Sequence, residues 1–301
     1  MMDFKDLEEI LKKQPLRVEE DIPVFSEDDG YIKNYERIAV DHISSMKPES
    51  SNPFIEEELW LKLERSTREL ITKYANRGDR VLDVGVGLGR TLGPLEQYRR
   101  YGIDISLDYL KIARKSGIQV FFSKIEDMPF KDSSFDLIVT TDVFEHVLDL
   151  DHCTREVLRV LKPGGKLIVR VPYKEDLSAY LSPDLPYEFV HLRAFDEASL
   201  WLHFCKIHGM KLCESATVAP YLQGAPRLKI RLLEDQDRLE LKNRIKKFGS
   251  EFKLLKKILN YSSEELTTWI YNLKDKNRTA YESVAELLVY GMDINSVFEK
   301  K

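Results

Sequence analysis

The segment at residues 81–90, which reads VLDVGVGLGR, constrains the fold of this 301-residue chain more than any other. It begins as a short apolar run, typical of a strand covered on both faces, and continues into a turn that contains Gly85 and Gly87. Glycine lets bare backbone approach a ligand, and a helix starting near Leu88 would aim its amide groups into the same crevice. The segment therefore predicts a nucleotide-cofactor site at the end of a parallel strand.

The spacing of the glycines distinguishes between classes of cofactor. A dinucleotide-binding dehydrogenase spaces them as G-x-G-x-x-G, whereas here Gly85, Gly87 and Gly89 alternate and Arg90 takes the place of the third glycine. Asp83 lies where it would repel a pyrophosphate but attract an ammonium group. These features favour a cofactor that carries an ammonium group. The alternatives are a glycine turn that serves only packing and the loop of a dinucleotide-binding dehydrogenase.

A second acid ends the next apolar strand, in the segment GIDIS at residues 102–106. Asp104 follows the glycine loop by about twenty residues, the separation at which ribose hydroxyls are recognised. Its alternative role is to cap the following helix, although Ser106 already suits that position.

Four segments in chain order resemble the class I S-adenosylmethionine (SAM) dependent methyltransferases, in the branch that includes ubiquinone-biosynthesis and sugar methylases. The first two are the glycine segment at residues 81–90 and GIDIS at residues 102–106. The other two are IEDMPFKDSSFDLIVTTDVFEHV at residues 125–147 and EVLRVLKPGGKLIVRVP at residues 156–172. The resemblance spans roughly residues 31–218. It implies a Rossmann-like methyltransferase fold with SAM as the cofactor.

The resemblance also implies which residues contact SAM. The cofactor-binding residues predicted in this way are Asp83, Gly85, Gly87, Asp104, Ile105, Ile125, Glu126 and Thr141. Asp83 and the glycines would hold the methionine part, Asp104 the ribose, and the backbone around Ile125 and Glu126 the adenine. Lys124 departs from the family, which commonly has an acid there, so adenine recognition is expected to differ.

The chemistry is predicted to lie after the fourth strand of the methyltransferase pattern. Methyl transfer requires an acceptor held in line with the sulfur, and a base only where the acceptor carries a proton of high pKa. His146 could remove that proton, with Glu145 beside it, and these two residues are the predicted catalytic pair. A histidine that only hydrogen-bonds the backbone is one alternative. A metal held by Asp142, Glu145 and His146 is another, but no metal is predicted.

Acceptor contacts are predicted from four further residues. In relatives, the segment that matches Tyr35 forms part of a lid, which would bring Tyr35 and His42 near the acceptor. An equivalent of the turn with His191 and Arg193 borders the mouth of the site in relatives. Packing against the domain is the alternative for Tyr35 and His42.

Alternation of apolar strand patterns with helical patterns predicts an α/β fold, with a doubly wound, seven-stranded, mostly parallel sheet. Strands are predicted near residues 81–84, 101–104, 118–122, 135–140, 166–171, 211–218 and 227–233. The predicted parts are an N-terminal linker and helical lid at residues 1–52, a SAM-binding domain at 53–233, and a mostly helical C-terminal extension at 234–301.

Composition adds little about partners. A net charge of −5 argues against attraction of the whole surface to nucleic acid, and three cysteines without a C-x-x-C pair predict neither disulfides nor a cysteine zinc site. No signal-like segment or long apolar run occurs, so we expect a cytoplasmic protein. Residues 226–260 carry eleven Lys or Arg against five acids. That segment could lie on an anionic membrane, bind nucleic acid, clasp a phosphorylated carrier or form a homodimer contact, with a solvated helical surface as the default.

The sequence therefore predicts an enzyme that methylates a small or carrier-linked metabolite, at oxygen. One alternative is an RNA or protein methyltransferase that uses the basic segment to hold its substrate. The other is a SAM-binding accessory or regulatory subunit without catalysis.

Overall fold

The computed structural model describes residues 8–46, 57–182, 184–222, 276–277 and 289–301. Their strands form one nine-stranded sheet in the order β1-β2-β5-β4-β3-β6-β7-β9-β8. The strands are β1 (Arg17–Glu19), β2 (Ile22–Val24), β3 (Arg80–Val84), β4 (Arg99–Asp104), β5 (Gln119–Phe122), β6 (Phe135–Thr141), β7 (Leu161–Pro172), β8 (Lys211–Leu222) and β9 (Val289–Glu299).

Five α-helices whose bounds lie within the described residues accompany these strands. They are α1 (Gly30–Ser45), α2 (Glu57–Tyr74), α3 (Leu107–Lys115), α4 (Leu150–Val160) and α5 (Glu197–Leu200), and the last continues as a π-helix over Trp201–Ile207. Two short 3₁₀ helices, Ile125–Asp127 and Leu177–Leu181, lie in the connections. Side chains of Asp29, Ser106, Asp149 and Asp196 accept hydrogen bonds at the starts of α1, α3, α4 and α5.

The strands from β3 to β7 pair in parallel, which confirms the predicted α/β class and the central strands. Successive side chains of a strand point to opposite faces. Leu82 and Val84 accordingly join one apolar cluster with residues of α4 and α5, while Val81 joins a second cluster with residues of α2 and α3. The sheet is therefore covered by helices on both faces, and the strand order reverses between β3 and β6.

The predicted number of seven strands is wrong, because two strands precede the methyltransferase pattern. Within the predicted N-terminal linker, β1 and β2 form an antiparallel hairpin whose turn holds Glu20 and Asp21 at φ of 48° and 60°. Positive φ at both turn residues matches the right-handed twist of a tight hairpin. β2 then pairs in parallel with β5, since Val24 aligns with Phe122, and so extends the sheet at that edge.

The C-terminal extension, predicted to be mostly helical, ends instead in β9, which pairs antiparallel with β7. This strand was not predicted from the sequence because three buried polar residues interrupt its apolar pattern. Asp293 pairs with Arg170, Asn295 donates to Ser66, and Ser296 shares a hydrogen bond with Ser215. The predicted strand at residues 227–233 and most of the predicted extension lie outside the described residues.

The chain forms two compact units. One comprises residues 1–219 and 293–301, and the other comprises residues 220–292, most of which lie outside the described residues. The boundaries predicted from the sequence, near residues 52 and 233, stay predictions. Among the helices that the structure describes, none combines the length and apolar character needed to cross a bilayer.

The last strand is expected to contribute much of the stability of the first unit. Phe298 is fully buried and its ring lies 4.6 Å from that of Phe204. Phe298→Ala should lower the free energy of unfolding by about 3–5 kcal/mol, because it removes this packing and leaves a cavity. Urea denaturation would measure the loss. Ile207→Ala, at a side chain that is 66% exposed, is the control and should change stability by less than about 0.5 kcal/mol. Equal losses in the two variants would contradict this role for β9.

Candidate functional site

The glycine loop after β3 has two glycines with different roles. At Gly85 (φ 78°), a Cβ atom would lie 2.4 Å from Cγ2 of Val143, so only glycine allows the segment after β6 to approach. At Gly87 (φ 50°), a Cβ would meet nothing within 4 Å. Backbone N–H groups of Gly85 and Val86 donate to the carbonyl of Ile103, which joins the loop to β4. The Cα of Gly87 thus faces open space near the edge at which strand order reverses.

Asp104, at the end of β4, holds this loop. Its carboxylate accepts the N–H of Gly87 at 2.9 Å and the N–H of Ser106 at 3.0 Å. Burial raises the pKa of Asp104 to about 6, against the opposing effect of these N–H donors. Because each carboxylate oxygen has a second lone pair, Asp104 can still accept from a hydroxyl of a ligand.

Asp83 is a buried acid with an unused acceptor. Only 1% of the residue is exposed, and its Oδ1 has no hydrogen-bond partner among the described residues. Burial raises the pKa of Asp83 well above its usual range, and the nearby Arg170 acts in the opposite direction. A buried acid with one unpartnered oxygen in this position is suited to a cationic group of a ligand, which would favour its ionised form.

The remaining predicted cofactor contacts lie along the same edge of the sheet. Ile105 follows Asp104, and Thr141 ends β6 in a partly exposed position. Ile125 and Glu126 form a partly exposed 3₁₀ turn just after Ser123, whose N–H donates to the carbonyl of Asp104. The structure therefore brings the predicted cofactor residues together, although their roles stay predictions.

Lys124, the position that departs from the family, connects this edge to the N-terminal segment. Its N–H donates to the hydroxyl of Ser26 at 2.9 Å, and its ammonium group pairs with the carboxylate of Asp29.

Asp142 starts the segment that follows β6 and has a φ of 56°, which is rare for a residue with a side chain. Its carboxylate pairs with the guanidinium of Arg170, and its N–H donates to the Arg170 carbonyl. Arg170 is 2% exposed and its Nε lies 3.1 Å from Asp293. Asp142 is thus held by an ion pair on β7.

Glu145 is completely buried, and neither of its carboxylate oxygens has a hydrogen-bond partner among the described residues. Burial raises the pKa of Glu145 well above its usual range, and the negative charges of Asp142 and Asp293 raise it further. A group that can compensate the Glu145 carboxylate is therefore missing from its described neighbours.

His146 lies next to this carboxylate, with Nε2 at 3.8 Å from Oε1 of Glu145. Its Nδ1 lies 2.8 Å from the carbonyl oxygen of Val190. Because a carbonyl only accepts, Nδ1 carries the hydrogen and Nε2 keeps a lone pair. Burial, together with the neighbouring His191, lowers the pKa of His146 to about 4, so the ring is neutral at pH 7.

His191 approaches the same place from the loop after β7. Its ring centroid lies 4.7 Å from that of His146, and its Nδ1 contacts the carboxylate of Glu175. Tyr180 donates to the other oxygen of Glu175 at 2.8 Å. The sequence analysis missed Glu175 and Tyr180, because the loop that contains them has no periodicity to reveal which side chains converge.

Helix α1 contributes the aromatic side of the site. Tyr35 has its ring centroid 5.7 Å from that of His146, and its hydroxyl donates to the carbonyl of Phe189 at 2.7 Å. Tyr31, which the sequence analysis also missed, lies one helical turn earlier with its ring 4.9 Å from that of Tyr35. The repetition of tyrosine at positions i and i+4 was the signal for a shared face.

The other two predicted acceptor contacts differ from Tyr35 and His191. His42 is buried, with Nδ1 2.6 Å from the hydroxyl of Tyr109 and its ring near Trp60. Arg193 donates to the carbonyls of Phe144, Val147 and Leu148. Arg193 therefore fixes the backbone around Glu145 and His146, while His42 joins α1 to α3. Their contact with a substrate stays a prediction.

Comparison with known proteins adds the following findings. Residues 82–169 match the family model described as a methyltransferase domain. An uncharacterized protein of Methanocaldococcus jannaschii is 39% identical over 107 residues, which cover 36% of this chain and 51% of that protein. A demethylmenaquinone methyltransferase of Renibacterium salmoninarum is 33% identical over 123 residues, 36% of this chain and 51% of the relative. The alignments thus span about half the length of these curated relatives.

Among solved structures, a similar one is the complex between the Haloferax volcanii Trm112 methyltransferase activator and a putative methyltransferase. The match has a TM-score of 0.52 and 16% identity, and it covers 91% of this chain and 99% of the other. At that identity the match shows a shared fold.

The two loop glycines allow a test of the close approach at Val143. Gly87→Ala should cost about 1–2 kcal/mol of unfolding free energy through its positive φ alone. Gly85→Ala should cost about 1–3 kcal/mol more, because its Cβ would also overlap with Val143. Adding Val143→Ala to Gly85→Ala should recover most of that difference. Urea denaturation of all the variants, with Val143→Ala alone as the reference, measures the coupling, and additive losses would show that the overlap does not matter.

Proposed function

We propose that this chain transfers the methyl group of SAM to an oxygen atom of a small or carrier-linked metabolite, since residues 82–169 match a family model described as a methyltransferase domain. The main observation in support is the buried Oδ1 of Asp83, which has no hydrogen-bond partner among the described residues and lies on the strand that leads into the glycine loop. SAM supplies an electrophilic methyl group on a positively charged sulfur.

The described residues suit SAM at both of its ends. A buried carboxylate oxygen without a partner costs free energy, and the ammonium group of the methionine part would compensate Oδ1 of Asp83. The partly exposed Asp104 keeps acceptor capacity for ribose hydroxyls, and the 3₁₀ turn of Ile125 and Glu126 borders the same edge for the adenine. In this proposal the glycine loop lies beneath the methionine part and Thr141 closes the site.

The acceptor side supports transfer to oxygen. A hydroxyl must lose its proton when its oxygen forms a bond to the methyl group. Because its Nδ1 hydrogen points to the carbonyl of Val190, His146 keeps the lone pair of Nε2, which can take that proton. The carboxyl of Glu145 lies 3.8 Å from this nitrogen and would stabilise the imidazolium when it ionises. The ring of Tyr35 lies 5.7 Å from that of His146, and Tyr31 and Phe189 extend this aromatic group, which favours an acceptor that contains a ring.

The predictions about the basic segment, a homodimer and the cellular location each need a separate test. The basic segment at residues 226–260, on which a membrane contact or an RNA or protein substrate depends, lies outside the described residues. A homodimer and a cytoplasmic location are likewise predictions. The similar solved structure contains an activator subunit, so an assay in cell extract has the advantage of supplying such a partner.

The direct test is transfer of a labelled methyl group from SAM into an extract that is then separated into small-molecule, RNA and protein fractions. We expect label in the small-molecule fraction. His146→Gln should lower the rate by about 10²-fold or more, the usual contribution of a general base, without changing the affinity for S-adenosylhomocysteine. His152→Gln, at an exposed histidine outside the site, is the matched control and should keep full activity.

Other outcomes would overturn parts of this proposal. Label in the RNA or protein fraction alone would support the alternative substrate classes. Thermal stabilisation by SAM without label in any fraction would support the accessory or regulatory subunit. Failure of both SAM and S-adenosylhomocysteine to stabilise the protein would exclude the methyltransferase function.

The affinity for S-adenosylhomocysteine should depend on pH through Asp104. The pKa of this carboxyl in the free protein is about 6, so below pH 6 the protonated form loses acceptor capacity for the ribose. We expect an affinity that is constant from pH 7 to 8 and falls between pH 6 and 5, by at most about tenfold per pH unit. Calorimetric titration measures it. Asp104→Asn should bind more weakly but with a flat profile, and an equally steep profile in that variant would assign the dependence to another group.

A further inference from the structure

We propose that Asp142 and Asp293 share one proton, which lets both carboxyl groups stay beside the guanidinium of Arg170 and so attaches β9 to the segment that follows β6. Asp142 starts that segment, Asp293 lies on β9, and Arg170 lies on β7 and pairs with both. Neither carboxyl group takes part in the proposed methyl transfer.

The pairing of β7 with β9 places Asp293 on the same side of the sheet as Arg170. Arg170 aligns with Asn295, which lies two residues after Asp293. Residues two apart in a strand point to the same face, and so do aligned residues of neighbouring strands. Arg170 is 2% exposed and Asp293 3% exposed, so their charges meet with little screening by water.

The guanidinium is engaged more fully by Asp142 than by Asp293. Its Nη2 donates to Oδ2 of Asp142 at 2.5 Å, and its Nη1 donates to the hydroxyl of Thr67 at 3.2 Å. Its Nε lies 3.1 Å from Oδ2 of Asp293, but neither of these two atoms makes a hydrogen bond among the described residues. The carboxyl of Asp293 is therefore the less well compensated of the two.

Further acids act on this pair from the neighbouring elements. The charges of the pair act on the buried Glu145, and the charge of Glu175, in the loop after β7, acts on both Glu145 and Asp293. From α2, Glu64 acts on the guanidinium of Arg170. Two buried carboxylates at one guanidinium repel each other, and a proton held by one of them removes that repulsion.

The acidity of Asp293 agrees with a shared proton. Burial, with the charge of Asp142 and a hydrogen bond between the two carboxyl groups, raises the pKa of Asp293 to about 8, although Arg170 acts in the opposite direction. In an unfolded chain the pKa of aspartate is about 3.9. The folded protein therefore keeps a proton that the unfolded chain releases, and the stability that this proton contributes is lost as the pH rises from about 4 to about 8.

The shared proton makes the attachment of the last strand sensitive to pH. Its loss would leave two buried carboxylates beside one guanidinium and would weaken the contact between β9 and Asp142. The segment that carries Glu145 and His146 begins at Asp142, so the proton would also affect how firmly that segment is held.

The experiment compares urea denaturation of the full chain with that of Asp293→Asn and Asp142→Asn over a range of pH. Asparagine cannot ionise, keeps a donor for the remaining carboxylate, and tolerates the positive φ at position 142. The unfolding equilibrium constant of the unaltered chain, divided by that of either variant, should rise by up to about tenfold per pH unit below pH 8 and level off above it. A ratio that does not change with pH would show a merely structural role and would overturn the shared proton.

A control and a second readout complete the test. Asp184→Asn, at an exposed side chain in the loop after β7, should follow the unaltered chain at every pH. Infrared spectra of the chain made with isotope-labelled aspartate should show a band of a protonated carboxyl group that disappears between about pH 7 and pH 9. That band should be missing from both variants. Its absence from the unaltered chain would overturn the proposal, and this measurement decides the question even where neither variant folds.

Discussion

The buried ion pairs of Arg170 connect the scaffold to the site. This guanidinium, on β7, pairs with Asp142 after β6 and with Asp293 on β9, and it donates to the hydroxyl of Thr67 on α2. Removing a buried cation from water is costly, and only well-placed partners repay it. The ion pair with Asp142 therefore connects β7 to a residue of positive φ that lies three residues before Glu145.

The site is assembled from chain segments that are far apart in sequence, because the carboxyl ends of parallel strands meet at one edge. Asp83 comes from β3, Asp104 from β4, and Glu145 and His146 from the segment after β6. Arg193 then fixes that last segment through three backbone carbonyls. These bonds help to hold the backbone on either side of the buried acid Glu145 and of His146.

Much of this could be predicted from the sequence. The central strands were clear because strands buried on both faces have continuous apolar runs, as in β3 and β6, and the acids at their ends followed from the glycine loop. β9 was missed because the polar residues Asp293 and Ser296 find partners only in the folded sheet. Glu175 and Tyr180 were missed for a related reason, since an irregular loop gives no period from which to infer convergence.

The N-terminal hairpin has a thermodynamic consequence for the cofactor edge. Phe25 donates to the carbonyl of Phe122, Ser26 accepts from Lys124, and Asp29 both caps α1 and pairs with the Lys124 ammonium group. Residues 22–29 therefore become ordered against the same turn that precedes Ile125 and Glu126. Any ligand that orders this turn shares its binding free energy with the folding of the N-terminal segment, so the two equilibria are linked.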